Sequence, residues 1–276
     1  MPELPEVQTI INTLLKSGML HHPITKINIY KRKLLKNSTP NTFINFLQGE
    51  SFENIERKGK FFIFSLTHNK TLVVHLRMEG KLFYEKNHST VQKTHLRVEF
   101  FFKNDFVLRY YDSRIFGTFH IYKNQEHLRA NQLTKLGLDP LAKDFKGSYL
   151  KNQLIKSNKA IKTCLLDQTK VSGIGNIYAD EILFLSGINP TKKANLLHDK
   201  DFDNIAKYSK QVLQKSIKFG GTTIATYLSS ANHTGRFQNM LLVHTKEGSP
   251  CIRCHTKIVK IKLNGRGTYY CPNCQK

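Results

Sequence analysis

Residues 61–66 read FFIFSL and residues 71–76 read TLVVHL, two runs rich in β-branched and aromatic side chains that face each other across a short polar turn. They are the centre of a longer series: ITKINIY at 24–30, LFY at 82–84, LRVEFFF at 96–102, FVLRYY at 106–111 and TFHIY at 118–122. Strands this short, cut repeatedly by Gly, Asn and Asp, predict an antiparallel sandwich or barrel. Working outward, TFINFL at 42–47 sets Phe43, Phe46 and Leu47 at helical spacing and predicts a short helix. The opening run predicts another, with Pro5 in its first turn and Val7, Ile10, Ile11, Leu14 and Leu15 on one apolar stripe.

The chain begins Met1-Pro2-Glu3-Leu4-Pro5-Glu6. Removal of Met1 leaves Pro2 with a free secondary amine, a nucleophile toward electrophilic carbon, and Glu3 and Glu6 lie within reach of it. An end that runs from a rigid ring straight into a buried helix is either a placed chemical group or an ordinary proline-started helix.

The character changes near LGLDPL at 136–141. From residue 148 to 219 the apolar pattern takes a helical period, through Leu150, Leu154, Ile161, Leu165 and Leu166, with Gly187 and Gly220-Gly221 as stops. The segment QTKVSGIGN at 168–176 precedes the run IYADEILFL. Gly173 and Gly175 let the backbone approach a partner, and Asn176 is expected to cap the helix, so that its free N–H groups face an anion. A tight connection in the core is the alternative reading. Residues 221–249 are polar and weakly periodic, as a loop or binding segment would be.

Four of the five cysteines fall in the last 26 residues, as CIRC at 251–254 and CPNC at 271–274, sixteen residues apart. Cys251, Cys254, Cys271 and Cys274 would close a tetrahedral shell around one structural Zn²⁺ and leave no open position for catalysis. Between them, IVKIKL at 258–263 alternates as a strand, Asn264-Gly265 is a hairpin turn, and GTYY at 267–270 returns. Arg266 then stands beside the hairpin tip, placed for a phosphate or simply solvated. Cys164, within an apolar run, reads as a small core residue.

Among 276 residues, 43 are Lys or Arg and 20 are Asp or Glu, a net charge of +23. That excess suits a polyanion, since each neutralised phosphate releases counterions. The basic residues are spread along the chain and not gathered on one amphipathic face, which favours nucleic acid over a membrane surface. With no membrane-spanning run and no signal-peptide pattern, the chain is expected in the cytoplasm, as a monomer. Three further motifs join the set. RKGK at 57–60 precedes a hydrophobic strand, so Lys60 can reach a phosphate with its stem on apolar surface. HLRM at 75–78 and DSRIFG at 112–117 each end a strand at a turn, and Met or Phe side chains offered there are able to wedge into a stacked duplex.

In order, PELPEV, RKGKF, HLRMEG, DSRIFG, DQTKVSGIGNIYADEILF, GGTT and the CIRC…GRGTYYCPNCQK ribbon resemble the bacterial formamidopyrimidine-DNA glycosylases along the whole chain. The resemblance implies an α+β multidomain protein: an N-terminal antiparallel β-sandwich with flanking helices, a helical helix-two-turn-helix domain, and a β-hairpin zinc ribbon. The expected divisions are a catalytic domain at 1–135, a linker at 136–147, a DNA-binding domain with a lesion-recognition loop at 148–249, and the ribbon at 250–276. The activity implied is excision of oxidised purines, 8-oxoguanine and formamidopyrimidines, from double-stranded DNA, followed by strand cleavage at the abasic site. Pro2 would be the nucleophile, Glu3 the acid that protonates the opening sugar, Glu6 a helper, and Lys60 a neighbour that favours the free amine. Lys60, His75, Asn176 and Arg266 would bind phosphates, with Lys260 also on the DNA side, while Met78, Arg114 and Phe116 would fill the gap left by the everted base.

Two places depart from the resemblance. Residues 243–246 read VHTK where many relatives read VYGR, which puts His244 where a tyrosine usually contacts phosphate. Residues 229–239, expected to close over the damaged base, match the relatives only in part. An endonuclease VIII-like enzyme for oxidised pyrimidines is the alternative, although such enzymes usually open Pro-Glu-Gly-Pro-Glu and Leu4 stands against that. A zinc-ribbon DNA-binding protein without activity is another, against which Pro2, Glu3 and Lys60 count.

Overall fold

The computed structural model describes residues 1–88, 93–222 and 235–276. The chain forms two compact units, Met1–Thr134 with Gly220–Gly235, and Lys135–Phe219 with Arg236–Lys276.

The first unit opens with α1 (Leu4–Lys16), β1 (Ile24–Ile29) and α2 (Pro40–Leu47). Seven strands follow: β2 (Phe52–Lys58), β3 (Phe61–Leu66), β4 (Lys70–His75), β5 (Lys81–Lys86), β6 (Leu96–Phe102), β7 (Phe106–Tyr111) and β8 (Thr118–Lys123). They make two antiparallel four-stranded sheets, ordered β1-β6-β7-β5 and β2-β3-β4-β8, so the architecture is a sandwich and not a barrel. Aromatic side chains from both sheets meet in the core, where Phe100 lies 6.3 Å from Phe52 and 6.5 Å from Phe119, and Tyr110 lies 5.0 Å from Phe119. Val7, Ile10, Ile11 and Leu14 of α1 join that core, but Leu15, expected on the same stripe, faces solvent at 38% exposure. The helix turns by about 100° per residue, so Leu15 falls past the edge of the stripe. The strand β2 was not apparent in the sequence, because FENIERK buries only Phe52 and Ile55 and carries charge at its other positions.

The second unit begins where the short helix α3 (Asn131–Thr134) ends the first. It contains α4 (Gly147–Leu154), α5 (Ile161–Leu165), α6 (Asn176–Ser186), α7 (Asp199–Lys218) and the hairpin β9 (Val259–Leu263) and β10 (Arg266–Tyr270). Gly187 stops α6 in a left-handed conformation, φ +72°. At the hairpin tip Asn264 and Gly265 both take positive φ, 47° and 77°, the twist-matched two-residue turn. Cys164 is buried on α5. Among the described residues no helix is long and apolar enough to cross a membrane.

Candidate functional site

Pro2, Glu3, Leu4, Pro5 and Glu6 are all buried, whereas Met1 is 44% exposed. The end of the chain is therefore tied down at Pro2 and open at the residue that processing would remove. Glu3 is the N-cap of α1 and forms a reciprocal capping box with Glu6, whose Oε2 accepts the Glu3 N–H at 2.9 Å. Glu3 and Glu6 thus stand on either side of the first turn, one residue and four residues from Pro2.

Lys60 lies buried at the β2–β3 turn, where Gly59 takes positive φ. His75 closes β4 and packs edge-on against Phe61 with ring centroids 4.5 Å apart. Its Nδ1 accepts the N–H of Arg77 at 2.9 Å, so the neutral ring carries its proton on Nε2, a donor ready for an anion. Desolvation, reinforced by Arg77, Lys60 and His120, holds the His75 pKa down to about 3.

Two turns at the ends of β4 and β7 are built on one another. The buried Asp112 carboxylate accepts the Tyr110 hydroxyl at 2.9 Å and the N–H groups of Arg114, Phe116 and Gly117 at 3.0, 2.9 and 2.9 Å. A Cβ on Gly117 would sit 1.8 Å from the Tyr110 hydroxyl oxygen, and one on Gly80 would sit 2.6 Å from it. Both glycines are required for the turns to close on Tyr110. The effect is to hold outward three side chains that burial would otherwise claim. Met78 is 42% exposed and Phe116 46%, and the Arg114 guanidinium stacks 4.6 Å from the Phe116 ring. Large apolar groups held rigidly in solvent by a buried carboxylate mark a contact surface.

In the second unit, Gly175 is the N-cap of α6 and Asn176 is its first helical residue, contrary to the expected capping role for Asn176. The asparagine side chain instead donates to the Gly267 carbonyl at 3.0 Å, because the hairpin offers a closer acceptor than the helix does. This joins Asn176 to the strand that begins with the exposed Arg266. Lys260 of β9 lies 3.5 Å from Glu247 and 5.6 Å from the Tyr269 ring centroid, on the surface of the ribbon.

A buried network escaped the sequence reading. Lys162, 1% exposed, donates to Gly267 O at 3.1 Å and Thr268 Oγ1 at 2.8 Å, and pairs with Asp180 Oδ1 at 2.7 Å. The other Asp180 oxygen meets His244 Nδ1 at 2.8 Å and the Tyr269 N–H at 3.3 Å. Next to it, Glu181 accepts the N–H groups of Leu242, Val243 and His244 at 2.8, 3.0 and 2.9 Å. Burial pushes the Glu181 carboxyl up, opposed by those three donors. His244 is therefore a buried strut in this chain, only 6% exposed. The available signal was a lysine inside the apolar run AIKTCLL and two adjacent acids inside the apolar helix IYADEILFL.

The four ribbon thiols lie within 4.8 Å of one another, with Sγ separations of 3.9 Å for Cys251–Cys274 and 3.5 Å for Cys254–Cys271. Sulfurs about 2.3 Å from a central Zn²⁺ in tetrahedral array are about 3.8 Å apart, so the four residues fit one ion. The N–H groups of Arg253 and Cys274 point at Cys251 and Cys271 sulfur, 3.4 and 3.5 Å away, as donors to thiolate would. Such an ion supplies a cross-link for a segment too small to bury its own core.

Among known protein families, the formamidopyrimidine-DNA glycosylase N-terminal domain matches residues 1–119, the glycosylase H2TH domain residues 136–228, and the zinc finger found in FPG and IleRS residues 248–276. Together the two units define a zinc-ribbon protein of the DNA-glycosylase class. The chain is 50% identical to formamidopyrimidine-DNA glycosylase of Ureaplasma parvum and 40% identical to that of Listeria monocytogenes, in both cases covering all of each chain. Its fold matches Lactococcus lactis Fpg bound to DNA containing Fapy-dG, and the same enzyme bound to abasic-site DNA, each with a TM-score of 0.93 at 36% identity over at least 99% of both chains. The chain belongs to the formamidopyrimidine-DNA glycosylase family.

Proposed function

We propose that this chain is a bifunctional DNA glycosylase and abasic-site lyase of base excision repair. It removes formamidopyrimidines and 8-oxoguanine from duplex DNA and then cuts the strand. The observation that carries the reading is Pro2, buried at the head of α1 between Glu3 and Glu6 while Met1 projects to solvent.

With Met1 removed, the Pro2 nitrogen attacks the anomeric carbon of the damaged nucleotide. The C–N bond to the base breaks, the base leaves with a proton, and the sugar ring opens as Glu3 protonates its oxygen. The nitrogen has two ring bonds already, so the product is a cationic iminium with no proton to lose. That charge makes the adjacent sugar proton acidic, and the 3′ and then the 5′ phosphate depart by β- and δ-elimination. An α-amine titrates at about 8, so it needs little adjustment to act near neutral pH.

In this reading residues 1–135 carry the chemistry, 136–147 link, 148–249 grip the duplex and 250–276 form the zinc ribbon. Lys60, His75, Asn176, Arg266 and Lys260 contact phosphates, and Met78, Arg114 and Phe116 occupy the space of the everted base and meet its former partner. The expected loop falls partly outside the described residues, at 229–234, as does Thr223 of the GGTT motif. The enzyme works as a cytoplasmic monomer on chromosomal DNA.

Duplexes carrying 8-oxoguanine or thymine glycol, incubated with the protein and borohydride, test the reading. The purine lesion is expected to be cut faster, with a covalent adduct trapped at Pro2. Preference for thymine glycol would point to the oxidised-pyrimidine enzymes, and binding without trapping would leave a DNA-binding protein. Pro2→Gly is expected to weaken both steps, and mass spectrometry of active protein is expected to find Met1 absent.

A further inference from the structure

Helix capping accounts for only part of what Glu6 does. Its Oε2 accepts the Glu3 N–H, but its Oε1 accepts the Thr222 N–H at 2.8 Å and the Thr222 hydroxyl at 3.0 Å, from 216 positions along the chain. Glu6 and Thr222 are each 5% exposed. The approach is close enough to dictate the neighbouring residues. Gly221 takes φ +78°, and a Cβ there would sit 2.9 Å from Glu6 Oε1. A Cβ on Gly235 would sit 2.4 Å from the Gly221 carbonyl oxygen, so the far end of the 222–235 stretch returns to the same turn. A helix start needs no partner so distant. One carboxylate holds the backbone beside Pro2 with one oxygen and the beginning of another segment with the other.

We infer that Glu6 is a positioning residue that couples the amine-bearing terminus to the segment starting at Thr222, and that base removal depends on this coupling more than cleavage of an already abasic strand does. The inference rests on the glycosylase reading above. Base removal requires the nucleophile, the sugar and the base to be aligned together, whereas an abasic site asks only for the first two. Gln in place of Glu6 keeps the shape but turns one acceptor into a donor, which then meets an N–H that it cannot satisfy.

The test is a comparison of single-turnover rates on an 8-oxoguanine:cytosine duplex and on a preformed abasic duplex. The full chain is used as wild type, Glu6→Gln, Thr222→Val and the double variant. Glu6→Gln is expected to lower the ratio of base removal to abasic cleavage by about tenfold or more. Thr222→Val, which loses only the hydroxyl contact, shifts the ratio the same way by a smaller factor. The double variant stays within about twofold of Glu6→Gln, because both changes break one interaction. Equal loss of both activities in Glu6→Gln, or multiplicative losses in the double variant, would overturn the coupling. If Glu6→Gln does not fold, an unchanged ratio in Thr222→Val overturns it alone. A wild-type protein that traps no borohydride adduct would instead defeat the glycosylase reading itself.

Discussion

Lys162 Nζ and Asp180 Oδ1 lie 2.7 Å apart with both side chains essentially out of solvent, and the same ammonium holds Gly267 and Thr268 of the ribbon hairpin. The pair therefore joins α5, α6 and β10 within one unit, and it positions the strand on which Arg266 sits. Removing one charge from such a pair strands the other in a medium that solvates it poorly.

Asp180→Asn is accordingly expected to destabilise the protein by about 3–5 kcal/mol, measured as a lowered urea midpoint. Amide exchange in β9 and β10 is expected to quicken with it. Unchanged stability would mean that the network relaxes around the loss.

Asp112→Ala removes the acceptor for four donors at the turn that carries Arg114 and Phe116. About 2–4 kcal/mol of stability is expected to go, since buried N–H groups are left without partners. Excision opposite cytosine and opposite adenine should become more alike, as the turn that holds these side chains outward loses its anchor. Discrimination equal to wild type would remove Asp112 from that task.

His75 gives a pH dependence whose sign can be worked out. Its folded pKa is about 3, against about 6.5 for an unconstrained imidazole, so between those values the unfolded chain binds the extra proton. Its contribution is whole above about pH 6.5 and drains away as pH falls toward 3, at up to about 1.4 kcal/mol per pH unit. His120 and His127 are also held down by burial and act in the same direction. His75→Gln should lose less stability than wild type between pH 7 and pH 5. An imidazole resonance for His75 that titrates near 6.5 would contradict the buried neutral ring.

Cys251→Ser is expected to release the zinc, from one ion per chain to none by metal analysis, and to loosen the hairpin. DNA affinity should fall by about tenfold or more, since Arg266 is no longer held at a rigid tip. Retained metal would refute the four-thiolate shell. Without an ion the crowded thiols are poor ligands for one another: hydrogen bonding from Cys254 and then desolvation push Cys274 up to about 12.

What the sequence determined by itself was local or periodic. The strand runs at 61–66 and 71–76, the α1 stripe from Val7 to Leu14, the Asn264-Gly265 turn and the two C-x-x-C pairs follow from rules that act over a few residues, and each is present in the fold. The amino-terminal Pro2 and its two acids could be read for the same reason. Tertiary structure decided the rest, because burial and pairing are properties of surfaces that meet. A charged strand such as β2 becomes a strand only when β3 pairs with it. Asn176 turns from its own helix to Gly267, Lys162 and Asp180 are harmless surface charges until the hairpin closes over them, and Glu6 finds Thr222 only after some two hundred intervening residues have folded.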